Sequence, residues 1–404
     1  MKKIFFIILS VSLLASCTKE EIISQPKEAE NLVLTTRLSD SISFADYKAS
    51  SLKLAIQFSG VNIDASELNH DVKSYKINYY SVLNNKKILL SALVFIPEST
   101  LEQKIVSFQH GTTSAVASSP SNASATTQIS LLFAGMSSAG AITVVPDYIG
   151  LGISNTGMNP YYVESLTTAQ IRDGIYAAKE LAESLGNSVS RDIYLAGYSQ
   201  GGYVTMATHK SIEQSPMSEF DLKASFPAAG GYDVAGVRDF MLRQSTYSQP
   251  NYFAYVAQAY KTYHNFDEPL ALLFKAPYDT IIPTLFDGLH SSSQINSALT
   301  SDVSALLTED YISNSSDSKF DFFNDRITEN SLLDWTPTIR MHLLHGDQDV
   351  TVPYQNSIDT YDYFIDQGAS TSIVTFTNLP GSSHGTGLIP YIEYLAGELF
   401  PLVE

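Results

Sequence analysis

The chain has 404 residues, of which 44% are hydrophobic and 16% are charged, so it can bury a sizeable core and need not be disordered. Its formal net charge of −18 at pH 7 repels phosphate backbones and excludes nucleic acid as an expected partner. The charge also disfavours contact with anionic lipid head groups. Cys17 is the single cysteine, so no disulfide can form within the chain.

The first residues have the pattern of an export signal. Two lysines precede the apolar residues 4–14, a run too short to span a membrane, which takes about 20 residues. Residues 14–17, Leu-Ala-Ser-Cys, resemble the lipobox of bacterial lipoproteins, which implies that residues 1–16 are a removed signal peptide and that Cys17 is acylated. An ordinary secretory signal with an incidental Cys17 is the alternative. We expect residues 17–45 to form a tether and the protein to be anchored in the outer membrane, at either its periplasmic or its surface face.

The next residues alternate between strand and helix patterns. Residues 75–80 and 88–96 flank a turn signal, Asn84-Asn85, and predict a hairpin. Further strands are predicted at residues 104–109, 141–145, 191–197, 224–229, 339–344 and 372–376. Helices are predicted at residues 127–138 and 165–185, from residue 200 onward, and at residues 354–367 and 388–399. This order predicts an α/β fold with a mostly parallel central sheet flanked by helices.

Residues 232–335 interrupt the alternation. They are rich in Tyr, Phe, Asp and Ser, with apolar helical stretches near residues 252–260, 268–275 and 281–289. We interpret them as a largely helical cap inserted above a core made of residues 46–231 and 336–404. The cap aromatics could line an apolar pocket or stack on sugars, but packing within the cap is expected for most of them: Tyr252, Phe253, Tyr255, Tyr260, Tyr263 and Phe266.

The candidate nucleophile is Ser199. Residues 197–201 read Gly-Tyr-Ser-Gln-Gly, which is G-x-S-x-G between a predicted strand and a predicted helix. Gly197 and Gly201 lack the Cβ atoms that would collide with neighbouring backbone at such a sharp turn. The turn would lift the Ser199 hydroxyl clear of the sheet and place the Gln200 N–H at a helix N-terminus, facing a developing oxyanion. A purely structural turn is the alternative.

A serine hydroxyl needs a base, and the base needs an acid to orient it. With this motif the chain order is serine, acid, histidine. The loop at residues 345–353 offers Asp349, with Asp347 as its competitor; an Asx-turn or a calcium loop is the alternative interpretation. His384 is the only histidine after that loop and is the predicted base. Most of the other histidines are expected to be surface or packing residues: His70, His110, His209, His264, His290, His342 and His345.

Residues 109–113, Gln-His-Gly-Thr-Thr, follow a predicted strand and are the candidate oxyanion loop. We expect the Thr112 N–H to be the second donor beside that of Gln200, with the Gly111 N–H as the fallback. His110 is expected to orient this loop. The sequence shows no metal-ligand cluster and no cofactor fingerprint.

Together these motifs resemble the α/β-hydrolase superfamily and, more narrowly, the secretory lipase family of fungi and actinobacteria, over residues 70–400. The narrower resemblance lies in residues 146–152, Pro-Asp-Tyr-Ile-Gly-Leu-Gly, and residues 159–163, Asn-Pro-Tyr-Tyr-Val. It implies a serine esterase or lipase that hydrolyses carboxylic esters through an acyl-enzyme on Ser199. The acyl length and the alcohol stay open, because the cap carries no motif that can be aligned. The ester could be a lipid, a small acyl ester or an acyl group on a polysaccharide.

Two other functions remain open. Aminopeptidases and other peptidases of this fold usually carry His-Gly-Gly-Pro at the oxyanion loop, where this chain has His-Gly-Thr-Thr. They also need an acidic anchor for the substrate amine, which the sequence does not place. A non-catalytic lipoprotein that binds lipid or glycan would usually have lost a triad residue, whereas all three candidates are present here.

Overall fold

The computed structural model describes residues 32–154 and 157–403. The predicted signal peptide, Cys17 and the first part of the predicted tether lie outside these residues.

Within the described residues, nine strands form one sheet in the order β1-β2-β3-β5-β4-β6-β7-β8-β9. The first four in this order pair antiparallel, and β5, β4 and all later neighbours pair parallel. The carboxyl ends of the parallel strands therefore meet along one edge of the sheet. The strands are β1 (Leu38–Tyr47), β2 (Val72–Leu83), β3 (Lys86–Pro97), β4 (Gln103–Gln109), β5 (Ile142–Pro146), β6 (Val189–Tyr198), β7 (Asp221–Ala228), β8 (Arg340–Gly346) and β9 (Val374–Leu379).

The predicted hairpin is confirmed and owes its turn to two asparagines. Asn84 and Asn85 have φ of 49° and 57°. A two-residue turn with positive φ at both positions matches the twist of the strands that it joins, and asparagine tolerates that conformation better than most residues. β2 and β3 pair without a bulge from Val72↔Pro97 to Leu83↔Lys86.

Helices cover both faces of the sheet. On one face α1, α2 and α13 share a buried cluster with β3 and β4, in which the rings of Phe108 and Phe133 lie 4.9 Å apart. On the other face α3, α4 and α12 pack against the same sheet. No helix in the described part of the chain is both long and apolar enough to cross a membrane. The helices are α1 (Ala49–Ser59), α2 (Gln128–Ser138), α3 (Glu164–Ser184), α4 (Gln200–Gln214), α5 (Val234–Leu242), α6 (Pro250–Tyr263), α7 (Tyr278–Leu285), α8 (Ser292–Ala298), α9 (Val303–Leu306), α10 (Glu309–Asn314), α11 (Asp321–Glu329), α12 (Tyr354–Asp366) and α13 (Leu388–Val403).

The chain between β7 and β8 contains α5 to α11 and shares a continuous buried cluster with the α3 and α4 face. Two of the predicted helical stretches correspond to α6 and α7. The third, residues 268–275, is helical only in a short 3-10 turn at Leu270–Leu272, so a helix there was the wrong prediction.

The predicted tether extends too far along the chain. Residues 38–45 belong to β1, which pairs with β2 along most of its length, and the backbone N–H groups of Arg37 and Leu38 bond to Glu180 of α3. The strand lies at the edge of the sheet and leaves most of its side chains accessible to water. It therefore lacks the apolar alternation by which a strand is recognised. Helix α1, which follows it, was also not predicted.

A buried carboxyl group follows β5. The Asp147 side chain accepts bonds from the Ser91 hydroxyl at 2.6 Å and the Ser121 N–H at 3.0 Å. Gly152 lies so close that a Cβ there would stand 2.2 Å from an Asp147 carboxylate oxygen. Burial raises the pKa of Asp147 to about 6, although its hydrogen bonds act in the opposite direction. The desolvated acid therefore bonds to residues of β3 and of the segment before α2, and it packs directly against the turn at Gly152.

The raised pKa makes the stability depend on pH. Folded Asp147 keeps its proton up to about pH 6, whereas an ordinary aspartate loses it near 3.8, so stability falls as pH rises through this window. The free energy of unfolding in urea is measured at pH 4.5 and at pH 7 for wild type and for Asp147→Asn. Between these pH values the wild type should lose about 2 kcal/mol more than the variant, because the amide does not titrate. An equal difference between the two proteins at both pH values would contradict the buried-acid account.

Candidate active site

Ser199 occupies a strained turn between β6 and α4. Its backbone has φ 62° and ψ −123°, a region that residues with a Cβ rarely adopt. The turn is held by a bond from the Ser199 N–H to the Ala228 carbonyl of β7, at 2.9 Å, and the Gly197 N–H donates to the Tyr391 hydroxyl at 2.8 Å. The hydroxyl of Ser199 is thereby presented at the carboxyl edge of the sheet, as the motif predicts.

The glycines of the motif let α4 approach the sheet closely. A Cβ at Gly201 would lie 1.9 Å from the Gln109 carbonyl oxygen of β4, and one at Gly202 would lie 2.2 Å from the Ala228 carbonyl oxygen of β7. At Gly197 it would lie 2.3 Å from the Gly201 carbonyl oxygen. These contacts leave no room for any side chain, so the position of Ser199 depends on glycine at all three positions.

Three side chains from distant parts of the sequence meet at this edge. The Ser199 hydroxyl lies 2.8 Å from Nε2 of His384, and Nδ1 of His384 lies 2.6 Å from a carboxylate oxygen of Asp349. Asp349 follows β8 and His384 follows β9, so parallel neighbours deliver both groups to the same place. The structure brings together all the residues predicted as nucleophile, base and acid.

Asp349 is buried and held from several sides. One carboxylate oxygen accepts the backbone N–H groups of Thr351 and Val352, while the other faces both His384 and His345, the latter at 3.1 Å. Burial alone would raise the pKa of Asp349, but hydrogen bonds from His345 and His384 outweigh it and lower the pKa to about 2. The group is therefore ionised above about pH 4.

Asp347, the other candidate for the acid, does not contact His384 but bonds to the loop that carries it. Its carboxylate accepts the Gly381 N–H at 2.8 Å and the Asn378 side-chain amide at 3.3 Å. Both partners belong to β9 or to the loop that carries His384. Asp347 thus braces the histidine loop against the acid loop, and Asp349 contacts the imidazole.

The loop after β4 lies beside the nucleophile. A Cβ built on Gly111 would stand 3.7 Å from the Cβ of Ser199. The Thr112 hydroxyl bonds to the Tyr161 hydroxyl at 2.8 Å, and the Gly111 carbonyl oxygen lies 2.7 Å from Nδ1 of His110. These contacts place Gly111 beside Ser199 and bond the Thr112 side chain to Tyr161, which lines a cleft at Ser199. Gln200 is the first residue of α4. The assignment of the Thr112, Gly111 and Gln200 N–H groups as oxyanion donors stays a prediction.

His110 fastens this loop to the protein. Its ring stacks on Tyr148 with centroids 4.0 Å apart, and its own carbonyl oxygen accepts the Tyr148 hydroxyl at 2.7 Å. Burial lowers the pKa of His110 to about 4, so the ring is neutral around pH 7. Since its Nδ1 faces a carbonyl oxygen, that nitrogen carries the proton and donates, which fits the predicted orienting role.

An apolar cleft lies between Ser199 and the cap. Its walls are aliphatic and aromatic, and Arg238 is its only charged lining residue among the described residues. Arg238 is itself paired, with Asp239 at 2.7 Å and with the Asn324 side chain at 2.7 Å. The cleft is therefore largely uncharged. Besides Ser199 and Arg238, its lining residues are Tyr161, Tyr162, Val234, Val237, Met241, Tyr247, Tyr252, Phe253, Val256, Ile327 and Val352.

The cap aromatics divide as expected, with most of them packing the interior. Tyr252 and Phe253 line the cleft. Tyr255 is fully enclosed between the rings of Tyr161 and Phe286, each 4.4 Å away. Tyr260 is also fully buried and donates to the Tyr162 carbonyl, and Tyr263 and Phe266 are half-buried against the same core.

His345 is a site residue that the sequence did not single out. It was grouped with the surface and packing histidines, and it is indeed fully buried, but its ring contacts the carboxylate of Asp349. The available signal was its position at the end of β8, four residues before Asp349 in the same loop. Nothing in the sequence alone shows that the loop folds back so that the two side chains meet.

No family model and no curated protein matches the sequence. Solved structures do match it across nearly their whole length. A Legionella pneumophila protein described as a hydrolase is 25% identical, with a TM-score of 0.79, and the match covers 91% of this chain and 98% of that one.

Two further structures share the fold at lower identity. The rice cell wall degrading esterase LipA from Xanthomonas oryzae has a TM-score of 0.79 at 21% identity, covering 91% of this chain and 99% of that chain. Candida antarctica lipase A, in its closed state, has a TM-score of 0.66 at 15% identity, covering 90% and 82%. The sheet order, the serine turn and these neighbours agree, and the chain therefore has the α/β-hydrolase fold, in the form found in lipases and esterases.

Proposed function

We propose that the protein is a serine-dependent carboxylic ester hydrolase. The observation that carries this proposal is the continuous contact from Ser199 to His384 to Asp349, with distances of 2.8 and 2.6 Å, on a strained serine turn. An activated serine beside two or more backbone N–H donors is suited to acyl transfer. Among the described residues, the cleft lining carries no carboxylate that could bind a substrate amine, which favours esters over aminoacyl amides.

In the proposed reaction, Nε2 of His384 takes the Ser199 proton while Oγ attacks the ester carbonyl carbon. The N–H groups of Gln200 and Thr112, with Gly111 as the alternative donor, stabilise the oxyanion. His384 then gives its proton to the departing alcohol, and an acyl group remains on Ser199. Water attacks this acyl-enzyme with His384 as base, and Asp349 holds the imidazole tautomer and stabilises the imidazolium in both halves.

The cleft lining favours an uncharged acyl group as the part of the substrate that the cleft holds. The lining is apolar apart from the paired Arg238 and includes Ser199 itself. Each methylene buried there contributes about 0.8 kcal/mol. We therefore expect a preference for acyl chains longer than acetyl, as in a lipase or a medium-chain esterase.

A lipid anchor at Cys17 is part of the proposal. The lipobox-like residues 14–17 support it. Cys17 is also the single cysteine of the chain, so it cannot serve in an intramolecular disulfide. The outer membrane is the proposed location, with the protein facing either the periplasm or the exterior.

Ser199→Ala tests the reaction itself. Because the variant lacks the nucleophile, turnover of p-nitrophenyl hexanoate should fall by roughly 10⁴-fold or more while the fold is kept. Turnover is measured by p-nitrophenolate release, with circular dichroism as the folding control. Near-wild-type hydrolysis by the folded variant refutes the proposal, and faster cleavage of aminoacyl amides than of matched esters by the wild type would favour a peptidase.

Val256 of α6 tests the cleft. With p-nitrophenyl esters of two to sixteen acyl carbons, wild-type kcat/KM should rise by up to roughly fourfold per methylene over the first few carbons and then level off. Val256→Trp should remove the gain on octanoyl ester and leave the acetyl ester nearly unchanged, since only the longer chain reaches this wall. Val256→Ala is the matched control and should not shorten the optimum. An unchanged profile in the tryptophan variant means that the acyl group lies elsewhere.

Cys17→Ala tests the anchor. The full-length wild type, expressed in a bacterium that processes lipoproteins, should enter the detergent phase on Triton X-114 separation because acyl chains bury in the micelle. The variant should stay in the aqueous phase. If both partition alike, Cys17 is not the point of attachment.

A further inference from the structure

We propose that His345 is a positioning residue of the triad, which holds the Asp349 carboxylate in the orientation that His384 requires. The inference rests on the proposed function, since it concerns the same serine site. It assigns a second histidine to the acid, at the same carboxylate oxygen that faces His384.

The contacts of His345 enclose its ring completely. Nε2 lies 3.1 Å from a carboxylate oxygen of Asp349 and 3.1 Å from the Val352 carbonyl oxygen, and Nδ1 lies 2.7 Å from the Ser357 hydroxyl. Both His345 and Ser357 have no exposed surface. Ser357 belongs to α12, so the ring joins β8, the acid loop and the following helix.

These partners determine which ring nitrogen carries the proton. A carboxylate oxygen and a carbonyl oxygen only accept, so Nε2 must be the donor. Nδ1 of the neutral ring then accepts from the Ser357 hydroxyl. His345 is thus held in the tautomer that donates to Asp349, in the same way that Asp349 holds the tautomer of His384.

The oxygen that His345 contacts is the one that receives His384. His345 approaches it at 3.1 Å and His384 at 2.6 Å, while the other oxygen is occupied by the Thr351 and Val352 N–H groups. The backbone pair fixes one end of the carboxylate, and His345 fixes the other. Without His345, the oxygen facing His384 loses its only other side-chain donor among the described residues, and the carboxylate can rotate about its last bond.

The contact with His345 also affects the charge on the Asp349 carboxylate. A hydrogen bond from His345 withdraws charge from the oxygen that faces the imidazole. Removing the donor leaves more charge on that oxygen, so His384 should hold its proton more tightly and lose less of it at a given pH. The acid limb of kcat/KM should therefore move to higher pH.

The other groups that face this carboxylate do not titrate in the range that matters. Burial raises the pKa of each surrounding tyrosine, and hydrogen bonding from Asn378 is the largest influence that lowers the pKa of the neighbouring Asp347. A change in the acid limb can then be attributed to the two histidines and their shared acid. The tyrosines are Tyr162, Tyr198, Tyr247, Tyr252 and Tyr354.

Two amide variants separate the two sides of the ring. In His345→Gln the side-chain amide reaches the position of Nε2 and can still donate to Asp349. In His345→Asn it reaches only the position of Nδ1, beside Ser357. Both keep a polar group in the buried site, so the comparison isolates the contact with the acid.

The full-length protein and its variants are assayed for kcat, KM and the pH dependence of kcat/KM on p-nitrophenyl hexanoate. His345→Asn should lower kcat by roughly 10- to 100-fold with KM within about twofold of wild type, because a hydrogen bond to a charged group is lost away from the substrate. Its acid limb should move up by about half a pH unit. His345→Gln should recover most of the rate and the wild-type limb.

A second readout does not need an ester substrate. The rate of Ser199 modification by a fluorophosphonate, followed against pH, reports the same base and should show the same shift in His345→Asn. If wild type reacts with the probe but hydrolyses no ester, the proposed function fails and the role of His345 is still decided. If wild type does not react with the probe at all, both proposals fail.

Ser357→Ala covers the case in which the His345 variants do not fold. Without the Ser357 hydroxyl, no described residue donates to Nδ1 of His345, so the ring proton is no longer held on Nε2. The acid limb of kcat/KM should then move in the same direction by a smaller amount. Wild-type kcat and an unmoved acid limb in folded His345→Asn, or in Ser357→Ala where that variant alone folds, would overturn the inference and leave His345 a packing residue.

Discussion

The active site depends on the close approach of α4 to the strands beneath it. Gly201 and Gly202 bring the helix within contact of the Gln109 and Ala228 carbonyl oxygens, where any Cβ would overlap with backbone. This approach forces Ser199 into its left-handed conformation, since the chain must turn from strand to helix within one residue. The strain is balanced by the packing of β4, β6 and β7 around the turn, and it gives the nucleophile a fixed direction.

The acid and the base are positioned by parallel pairing. β8 and β9 run side by side, and each is followed by a loop that carries one titratable group, Asp349 in the first and His384 in the second. Asp347 ties these loops together through the Gly381 N–H. The carboxylate of Asp349 is surrounded by N–H donors, which explains how a fully buried group stays ionised. His345 belongs to this set of donors and extends it to α12.

In the proposed enzyme, the cap contacts the substrate and the core carries the reacting groups. The proposed catalytic groups lie on the core, while most of the cleft lining comes from α5, α6 and α11. The aromatic residues of α6 show why the insertion is stable: Tyr255 and Tyr260 pack inward, and Tyr252 and Phe253 face the cleft. One helix therefore supports the cap with one face and shapes the substrate side with another.

The sequence by itself determined the fold class and most core strands and helices, and it singled out Ser199, Asp349 and His384, which the fold brings into contact. Each of these follows from a pattern in the sequence: the periodicity of apolar residues, a serine between glycines, or the order of the residues along the chain. It missed β1, because an edge strand exposed to water has no apolar alternation, and it placed a helix at residues 268–275 where apolar content alone does not decide between helix and loop. Only the tertiary structure decided that Asp347 braces a loop, that His345 reaches the acid, and which aromatics face the cleft. These depend on contacts between residues far apart in the chain, or on the path of a loop, and no local pattern records them.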